Sequence, residues 1–134
     1  MEDAIVGALS NAQAQATVAV TDMGRARAYF ADTLGLTETA GNAEFFALFD
    51  AGGGTQLVVY PSPYAGTAKS TVASFLVTDL DATMAALREK GVTFEEYEGA
   101  DGPTTVNGVA EAAGVRSAWF KDPDGNTFAV GQNT

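Results

Sequence analysis

The sequence contains no cysteine and no histidine, and it has 7 lysine and arginine residues against 17 aspartates and glutamates. Without cysteine there is no disulfide and no thiolate ligand, and without histidine there is no imidazole ligand for zinc, iron or nickel. The net charge of −10 argues against nucleic acid and anionic membranes as partners, because both attract basic surfaces. The charge either keeps the protein in solution or attracts a cationic ligand.

Long apolar runs are also missing. No stretch approaches the roughly 20 apolar residues that span a bilayer, and the first residues are acidic where a signal peptide is basic. We therefore expect no membrane partner and a cytoplasmic location. What is present is an ordinary apolar fraction of 46% in a chain of 134 residues, which is the length of a single domain.

An internal repeat organises this domain. Residues 18–23 (VAVTDM) reappear 57 residues later as residues 75–80 (FLVTDL). In both places a β-rich run ends at Thr-Asp and an apolar pattern of helical spacing begins. We expect Asp22 and Asp79 to cap the two helices at their N-termini, and Gly35 and Gly91 to follow their C-termini.

A second similarity completes the repeat. Residues 49–59 (FDAGGGTQLVV) lie 71 residues before their counterpart, residues 120–130 (FKDPDGNTFAV). Each predicts two strands joined by a tight glycine-containing turn. The larger offset indicates an insertion in the second half, and residues 98–114 suit it because they are rich in glycine and small residues. Residues 37–39 with their flanks, and residues 92–97, are predicted to supply the remaining strand of each half.

These patterns predict an α+β fold with two tandem β-α-β-β-β modules forming a partly open, barrel-like cleft. The single domain, residues 1–134, divides into a first module at about 11–61, a linker at 62–69 and a second module at about 70–132. The linker and residues 98–114 are candidate lids over the cleft, or plain connectors.

The ordered motifs resemble the vicinal oxygen chelate superfamily, the group of glyoxalase I, bleomycin-resistance protein and extradiol dioxygenase. The motifs that carry this resemblance are VTDM at 20–23, AYF at 28–30, LGL at 34–36, VTDLD at 77–81 and FKDPDGN at 120–126. The resemblance covers about residues 13–132. It implies paired modules that curl around a ligand, and frequently a homodimer.

The resemblance also implies where metal-dependent relatives keep their ligands. A histidine commonly lies seven residues before the aspartate that starts each helix, and an acidic ligand lies on the last strand of each module. Those positions hold Gln15, Val72, Val58 and Ala129 here. Because one neutral amide and three apolar side chains do not replace a metal's hydration shell, we expect no metal and no other cofactor.

Side chains alternate across a strand, so residues two positions from these four share their face. The predicted ligand-binding residues are Gln15, Thr17, Phe46, Gln56, Val58, Tyr60, Val72, Ser74, Leu76, Trp119 and Ala129. Such a wall, apolar and aromatic with a few amides and hydroxyls, suits a small organic ligand. Trp119 and Tyr60 suit a core or dimer contact equally well.

The sequence predicts a metal-independent small-molecule-binding protein of the antibiotic-resistance type, which sequesters an aromatic or cationic drug or metabolite. The alternative is a metal-independent isomerase or lyase. Its acid–base residues would come from Tyr60, Tyr97, Glu96 and Glu98, although the sequence identifies no catalytic residue among them. A third alternative is an interaction module whose groove serves a partner protein or a second copy.

Overall fold

The computed structural model describes residues 7–100 and 102–134 and shows an α+β fold. Its strands are β1 (Ala16–Val20), β2 (Thr37–Asn42), β3 (Phe46–Asp50), β4 (Gln56–Pro61), β5 (Thr71–Leu76), β6 (Ala110–Ala112), β7 (Val115–Lys121) and β8 (Thr127–Asn133). Its helices are α1 (Met23–Ala28) and α2 (Leu80–Glu89). A π-helical turn, Tyr29–Thr33, continues α1, and a short 3-10 turn, Gly52–Gly54, joins β3 to β4.

The strands form two four-stranded sheets with the same topology. The first sheet has the order β1-β4-β3-β2 and the second β5-β8-β7-β6. In each sheet the first strand pairs in parallel with the last strand of its module, and the other neighbours are antiparallel. The sheets are not closed into a barrel; their edge strands β1 and β5 contact each other. The repeated α+β unit predicted from the sequence is confirmed.

Local signals set the ends of both helices. An Oδ1 atom of Asp22 accepts a hydrogen bond from the Arg25 amide at 2.9 Å, and Asp79 accepts one from the Ala82 amide at 3.0 Å. These bonds occupy amides that a helix leaves without partners in its first turn. Gly35 and Gly91 follow the helical segments with φ of +77° and +93°. Both predicted caps are therefore confirmed.

The outer position of the second sheet differs from the prediction. Residues 92–97 are not a strand: in the described residues they make an isolated bridge from Phe94 to Phe120. Instead, β6 lies within the stretch predicted to be a loop and pairs with the start of β7, Ala110 opposite Ser117. The Glu95 amide still donates to the Trp119 carbonyl of β7 at 2.8 Å, and the next side chain, Glu96, binds the hydroxyl of Thr105 and the backbone N–H of Gly108 in the following loop.

The helix-side faces of both sheets pack into one core. The Phe30 ring, from the π-helical turn, has its centroid 5.8 Å from that of Phe49 in β3 and 5.9 Å from that of Phe128 in β8. Phe120 stacks on Phe128 at 5.6 Å. The strand residues predicted to face the helices are buried as expected in six cases: Val18, Val20, Leu57, Val59, Phe128 and Val130. Because one ring joins both sheets, the modules share a single interior.

None of the helices in residues 7–100 and 102–134 has the length and apolar character needed to cross a membrane.

Candidate ligand-binding site

In residues 7–100 and 102–134 the helices pack on the core side of the sheets, and we call the opposite face of each sheet the open face. On the first sheet Thr17 pairs with Val58, so both side chains lie on the open face. On the second sheet Ser74, Ala129 and Trp119 are register partners across β5, β8 and β7. Side chains of paired residues point to the same side of a sheet. The alternation used in the sequence prediction therefore places these five residues on open faces.

The two predicted amides bind each other. The Gln15 Nε2 atom donates to Gln56 Oε1 at 2.9 Å, and Gln56 Nε2 donates to Asp50 Oδ1 at 3.3 Å. These hydrogen bonds link Gln15, just before β1, to Gln56 of β4 and Asp50 of β3. A ligand that uses either amide has to replace a hydrogen bond that already exists.

Three predicted wall residues leave apolar surface exposed on the open faces. Phe46 is 39% exposed, Tyr60 38% and Leu76 70%. Phe46 and Tyr60 lie on neighbouring strands of the first sheet and Leu76 on the edge strand of the second, and exposed apolar surface that is contiguous is typical of binding surfaces.

Val72 lies at an irregularity that the sequence does not reveal. The pairing of β5 with β8 shifts between Thr71 and Ala73. Both Val72 and Ala73 pack against the core. A β-bulge of this kind interrupts the alternation of side chains, and Val72 therefore belongs with the interior rather than with the open-face row of Ser74.

A concave cavity of about 800 Å³ lies over the open face of the second sheet, and we call it the Trp119 pocket. Its lining consists of Lys69, Ser70, Thr71, Tyr97, Glu98, Gly99, Ala100, Gly102, Pro103, Trp119 and Thr127. The Tyr97 and Trp119 rings meet edge to face, with centroids 5.6 Å apart and planes at 75°. The lining thus includes Trp119, which was predicted for the site, Lys69 at the end of the linker, and residues of the predicted lid that begins at Glu98. Residue 101 of this lid lies outside the described residues.

The polar groups of the Trp119 pocket have defined chemical states. Burial raises the pKa of the Tyr97 phenol, and the nearby Glu95 carboxylate raises it further. The phenol is therefore protonated at neutral pH and serves as a hydrogen-bond donor. Lys69 and Glu98 bring one charge of each sign to the lining, and two threonine hydroxyls lie at its sheet side.

A second concavity, the inter-sheet crevice, has a volume of about 610 Å³ and lies where the edges of the two sheets meet. Gln56 from the first module and Ser74 and Leu76 from the second are part of its lining. The predicted wall is thus divided: Trp119 lines one concavity and these three residues line another. The remaining predicted residues outside both linings are Gln15, Thr17, Phe46, Val58, Tyr60, Val72 and Ala129.

The positions that the resemblance assigns to metal ligands do not fit a metal. Of Gln15, Val58, Val72 and Ala129, only Gln15 has a side-chain donor atom, and its amide is bonded to Gln56. Within the described part of the chain, no three acidic side chains are close enough together to hold an ion. Metal centres of the zinc or iron kind need imidazole, thiolate or carboxylate ligands, which these positions do not supply.

The loop beside the pocket is held by its own polar contacts. The Glu96 carboxylate accepts hydrogen bonds from the Thr105 hydroxyl at 2.7 Å and from the Gly108 amide at 2.8 Å. These two bonds lower the pKa of Glu96, and the bond from Thr105 has the larger effect. Tyr97 continues the attachment, because its carbonyl accepts from the Thr105 amide at 3.0 Å. Glu96, a candidate acid–base residue in the sequence, therefore holds the loop.

With this geometry established, comparison with known proteins assigns the family. The sequence model of the Glyoxalase/Bleomycin resistance protein/Dioxygenase superfamily matches residues 12–130. The chain therefore belongs to this superfamily. A glyoxalase/bleomycin resistance protein from Catenulispora acidiphila is 30% identical, with 90% of this chain and 97% of that chain covered and a TM-score of 0.64.

Two more distant structures share the fold. TnmS3, an antibiotic binding protein from a Streptomyces species, is 23% identical over 92% of this chain and 98% of its own, with a TM-score of 0.62. The fosfomycin resistance protein FosX from Listeria monocytogenes is 16% identical over 92% of this chain and 94% of its own, with a TM-score of 0.65. No curated protein sequence matches the chain.

Proposed function

We propose that this protein binds a small aromatic molecule in the Trp119 pocket and holds it without changing it chemically. The observation that carries the proposal is the edge-to-face pair of Trp119 and Tyr97 in a concave cavity of about 800 Å³. Ligand sites of this kind are clefts of roughly 300–1,000 Å³, lined by apolar and aromatic groups with a few polar ones. A planar ligand gains both burial and ring contacts there.

The polar groups orient the ligand. The protonated Tyr97 phenol donates a hydrogen bond, and Glu98 accepts from a cationic or N–H group of the ligand. The net charge of −10 raises the rate at which a cationic molecule reaches the protein. An aromatic ligand with a positive group therefore suits the pocket best.

A structural relative supports a binding role. TnmS3, which has the same fold, is an antibiotic binding protein, and sequestering a toxic molecule needs affinity without chemistry. Because the two chains are 23% identical, the likeness is one of fold, and the ligand of this protein is inferred from its own pocket.

The enzymatic alternative has less support from the described residues. An isomerase or lyase needs a base that is free at neutral pH. Burial keeps the Tyr97 phenol protonated, and Glu96 is engaged by Thr105 and Gly108. Glu98 is the carboxylate that lines the Trp119 pocket, and no side chain among residues 7–100 and 102–134 forms a hydrogen bond that would orient it as a base.

The test uses the single tryptophan as a reporter. We expect planar aromatic cations to quench Trp119 fluorescence with a dissociation constant in the micromolar range or below. By calorimetry, Trp119→Ala weakens binding at least about tenfold, which corresponds to roughly 1.4 kcal/mol. Phe45→Ala is the matched control, because Phe45 is 69% exposed and does not line the pocket.

Three results would contradict the proposal. One is a broad panel of aromatic compounds that leaves both fluorescence and melting temperature unchanged. Another is a Trp119→Ala variant that binds as tightly as the natural protein. Conversion of a bound compound to a new product, followed by mass spectrometry, would instead establish the isomerase or lyase.

We also propose that the protein is a homodimer in which a second copy covers the exposed apolar part of an open face. The Phe30 ring contacts both sheets, so within one chain the core lies between the helix-side faces and the open faces lie outside it. Leu76 is 70% exposed on such a face. Burying apolar side chains of this size contributes about 1.5–3 kcal/mol each.

Leu76→Glu tests the dimer, with Val106→Glu as its control, because Val106 is 71% exposed but lies in a loop. By sedimentation equilibrium we expect Leu76→Glu to weaken self-association and Val106→Glu to leave it unchanged. A natural protein that is monomeric at high micromolar concentration would overturn this part of the proposal and leave the ligand test unaffected.

A further inference from the structure

A groove on the helix side of the molecule lies apart from the Trp119 pocket. It has a volume of about 880 Å³ and runs between α2 and the π-helical turn with the residues that follow it. Thr83 and Leu87 of α2 and its C-cap residue, Lys90, line the groove, at the spacing that places side chains on one face of a helix. On the other side of the groove, α1 ends at Ala28 and the chain continues in the π-helical turn, whose residues Ala31 and Asp32 belong to the lining.

One end of the groove opens into an apolar pit of about 140 Å³. The groove and the pit share Leu34, Thr83 and Leu87. Seven of the eight side chains that line the pit are apolar, and they come from both modules: Leu34, Leu36, Phe75, Val77, Leu87, Phe120 and Val130. Five of these, Leu34, Leu36, Phe75, Val77 and Leu87, are only half-buried. The two helices therefore leave part of the core open to a ligand from outside.

The other end of the groove is polar, and the recess that adjoins it is lined by two lysines and by Glu95. Lys90 and Thr33 line both the groove and an adjoining recess of about 410 Å³, which Lys121 and the Tyr29 side chain also border. Two of the chain's 7 basic residues thus converge at one place. Lys121 lies 3.9 Å from a Glu95 carboxylate oxygen. Lys90 has no carboxylate within ion-pair distance among the described residues.

We propose that pit, groove and recess form one amphipathic binding site for a medium-chain aliphatic carboxylate. Its alkyl chain occupies the pit beside Leu87, and its carboxylate lies between Lys90 and Lys121. Thr83 and Lys90 are seven residues apart, or about 10 Å along the helix axis, which is close to the length of an octanoate chain. Asp32 also lines the groove, next to Thr33.

A comparison of octanoate, butanoate and octanol by titration calorimetry tests both halves of the site. Octanoate binds more tightly than butanoate, by about fourfold per buried methylene group, because each contributes about 0.8 kcal/mol. Octanol, which keeps the tail and lacks the charge, binds at least about tenfold more weakly than octanoate. Equal binding of octanoate and butanoate, or of octanoate and octanol, overturns the proposal, as does no binding of octanoate below millimolar concentration.

Variants locate the site. Lys90→Met weakens octanoate binding at least about fivefold, whereas Lys69→Met, the same change in the Trp119 pocket, leaves it unchanged. Leu87→Trp fills the pit and abolishes binding, whereas Ala85→Trp on the exposed side of α2 does not. Equal effects within either pair overturn the proposal.

Methyl NMR of the natural protein gives a result that does not depend on any variant folding. Octanoate shifts the Val77 and Leu87 methyl signals and leaves the Trp119 indole signal in place. Shifts at Trp119 alone would assign octanoate to the Trp119 pocket and overturn the second site. Because the aromatic-ligand test uses Trp119 and this one uses Leu87, the failure of either proposal is recognisable separately.

Discussion

Asp122 is a buried carboxylate that anchors the turn between β7 and β8. Its oxygens accept hydrogen bonds from the Asp124 amide at 3.0 Å, the Asn126 amide at 2.9 Å and the Asn126 Nδ2 group at 2.9 Å. Burial nevertheless raises the pKa of Asp122 above its ordinary 3.8, because the loss of hydration outweighs the three donors. Ionisation of Asp122 therefore costs stability, whereas the hydrogen bonds that its oxygens accept stabilise the turn.

The pH dependence of this residue has a definite sign. An acid whose folded pKa is raised contributes stability that is complete below its ordinary pKa and is lost as the pH rises through the folded pKa. We expect Asp122→Asn to be less stable by about 1–3 kcal/mol, because one acceptor becomes a donor. The difference from the natural protein narrows as the pH rises above 3.8, the ordinary pKa of the group.

Urea unfolding at several pH values measures this difference, with the exposed Asp32→Asn as the control for a change of charge. A difference that widens with rising pH would show that hydrogen bonding, not burial, dominates at Asp122.

At the scale of elements, α2 depends on its N-cap. Asp79 accepts from the Ala82 amide, and the Gln132 side chain of β8 accepts from the Leu80 amide at 2.7 Å. We expect Asp79→Ala to lower the free energy of unfolding by about 1 kcal/mol, and Asp79→Ser to change it by only a few tenths, since Ser also caps. Chemical denaturation of the two variants checks this. Equal losses in both would mean that the carboxylate acts by its charge rather than as a cap.

Elements specified by nearby residues could be predicted, and those decided at long range could not. The caps at Asp22 and Asp79 and the β7–β8 turn follow from contiguous motifs. The buried side chains of Val92 and Phe94 are two residues apart, as in a strand. The same spacing occurs where an extended segment packs against the core without pairing along a sheet. In the structure the Glu96 carboxylate accepts hydrogen bonds from Thr105 and Gly108, residues of a loop whose path the sequence does not specify.

The site shows the same division. The open-face row of Ser74, Ala129 and Trp119 follows from strand alternation and the internal repeat. The bulge that turns Val72 toward the core has no marker in the sequence. The sequence predicts the linker and residues 98–114 as candidate lids, but it does not indicate that Tyr97 and Lys69 line the same pocket as Trp119.

At the scale of the whole molecule, the β7–β8 turn joins the modules. Asn126 Nδ2 donates to the Ala19 carbonyl of β1 at 2.8 Å, and Asp124 Oδ1 accepts from the Thr21 hydroxyl at 2.6 Å. Arg25 pairs with the same carboxylate at 2.9 Å. These contacts connect the second module to the strand end and helix start of the first.

We expect Asn126→Ala to cost about 2–4 kcal/mol, because it leaves several buried polar groups without a partner. Thr21→Ala, which removes one exposed hydroxyl from the same junction, costs less than about 1 kcal/mol. Urea unfolding followed by both circular dichroism and Trp119 fluorescence measures the losses and shows whether the two modules still unfold in one transition. A loss below about 0.5 kcal/mol for Asn126→Ala would mean that the shared apolar core alone holds the modules together.

Gly66 extends this junction into the linker. Its amide donates to Asn126 Oδ1 at 3.0 Å, its φ is +72°, and any side chain there would collide with the Asp124 carbonyl. The Ser62 amide, by contrast, donates to the Val20 carbonyl at 2.9 Å. Ser62 is thus bonded to the first module and Gly66 to the second. We expect a chimera with a homologue to fold best when the exchange is made at residues 63–64, because Gly66 then stays with the Asp124 carbonyl that excludes a side chain there.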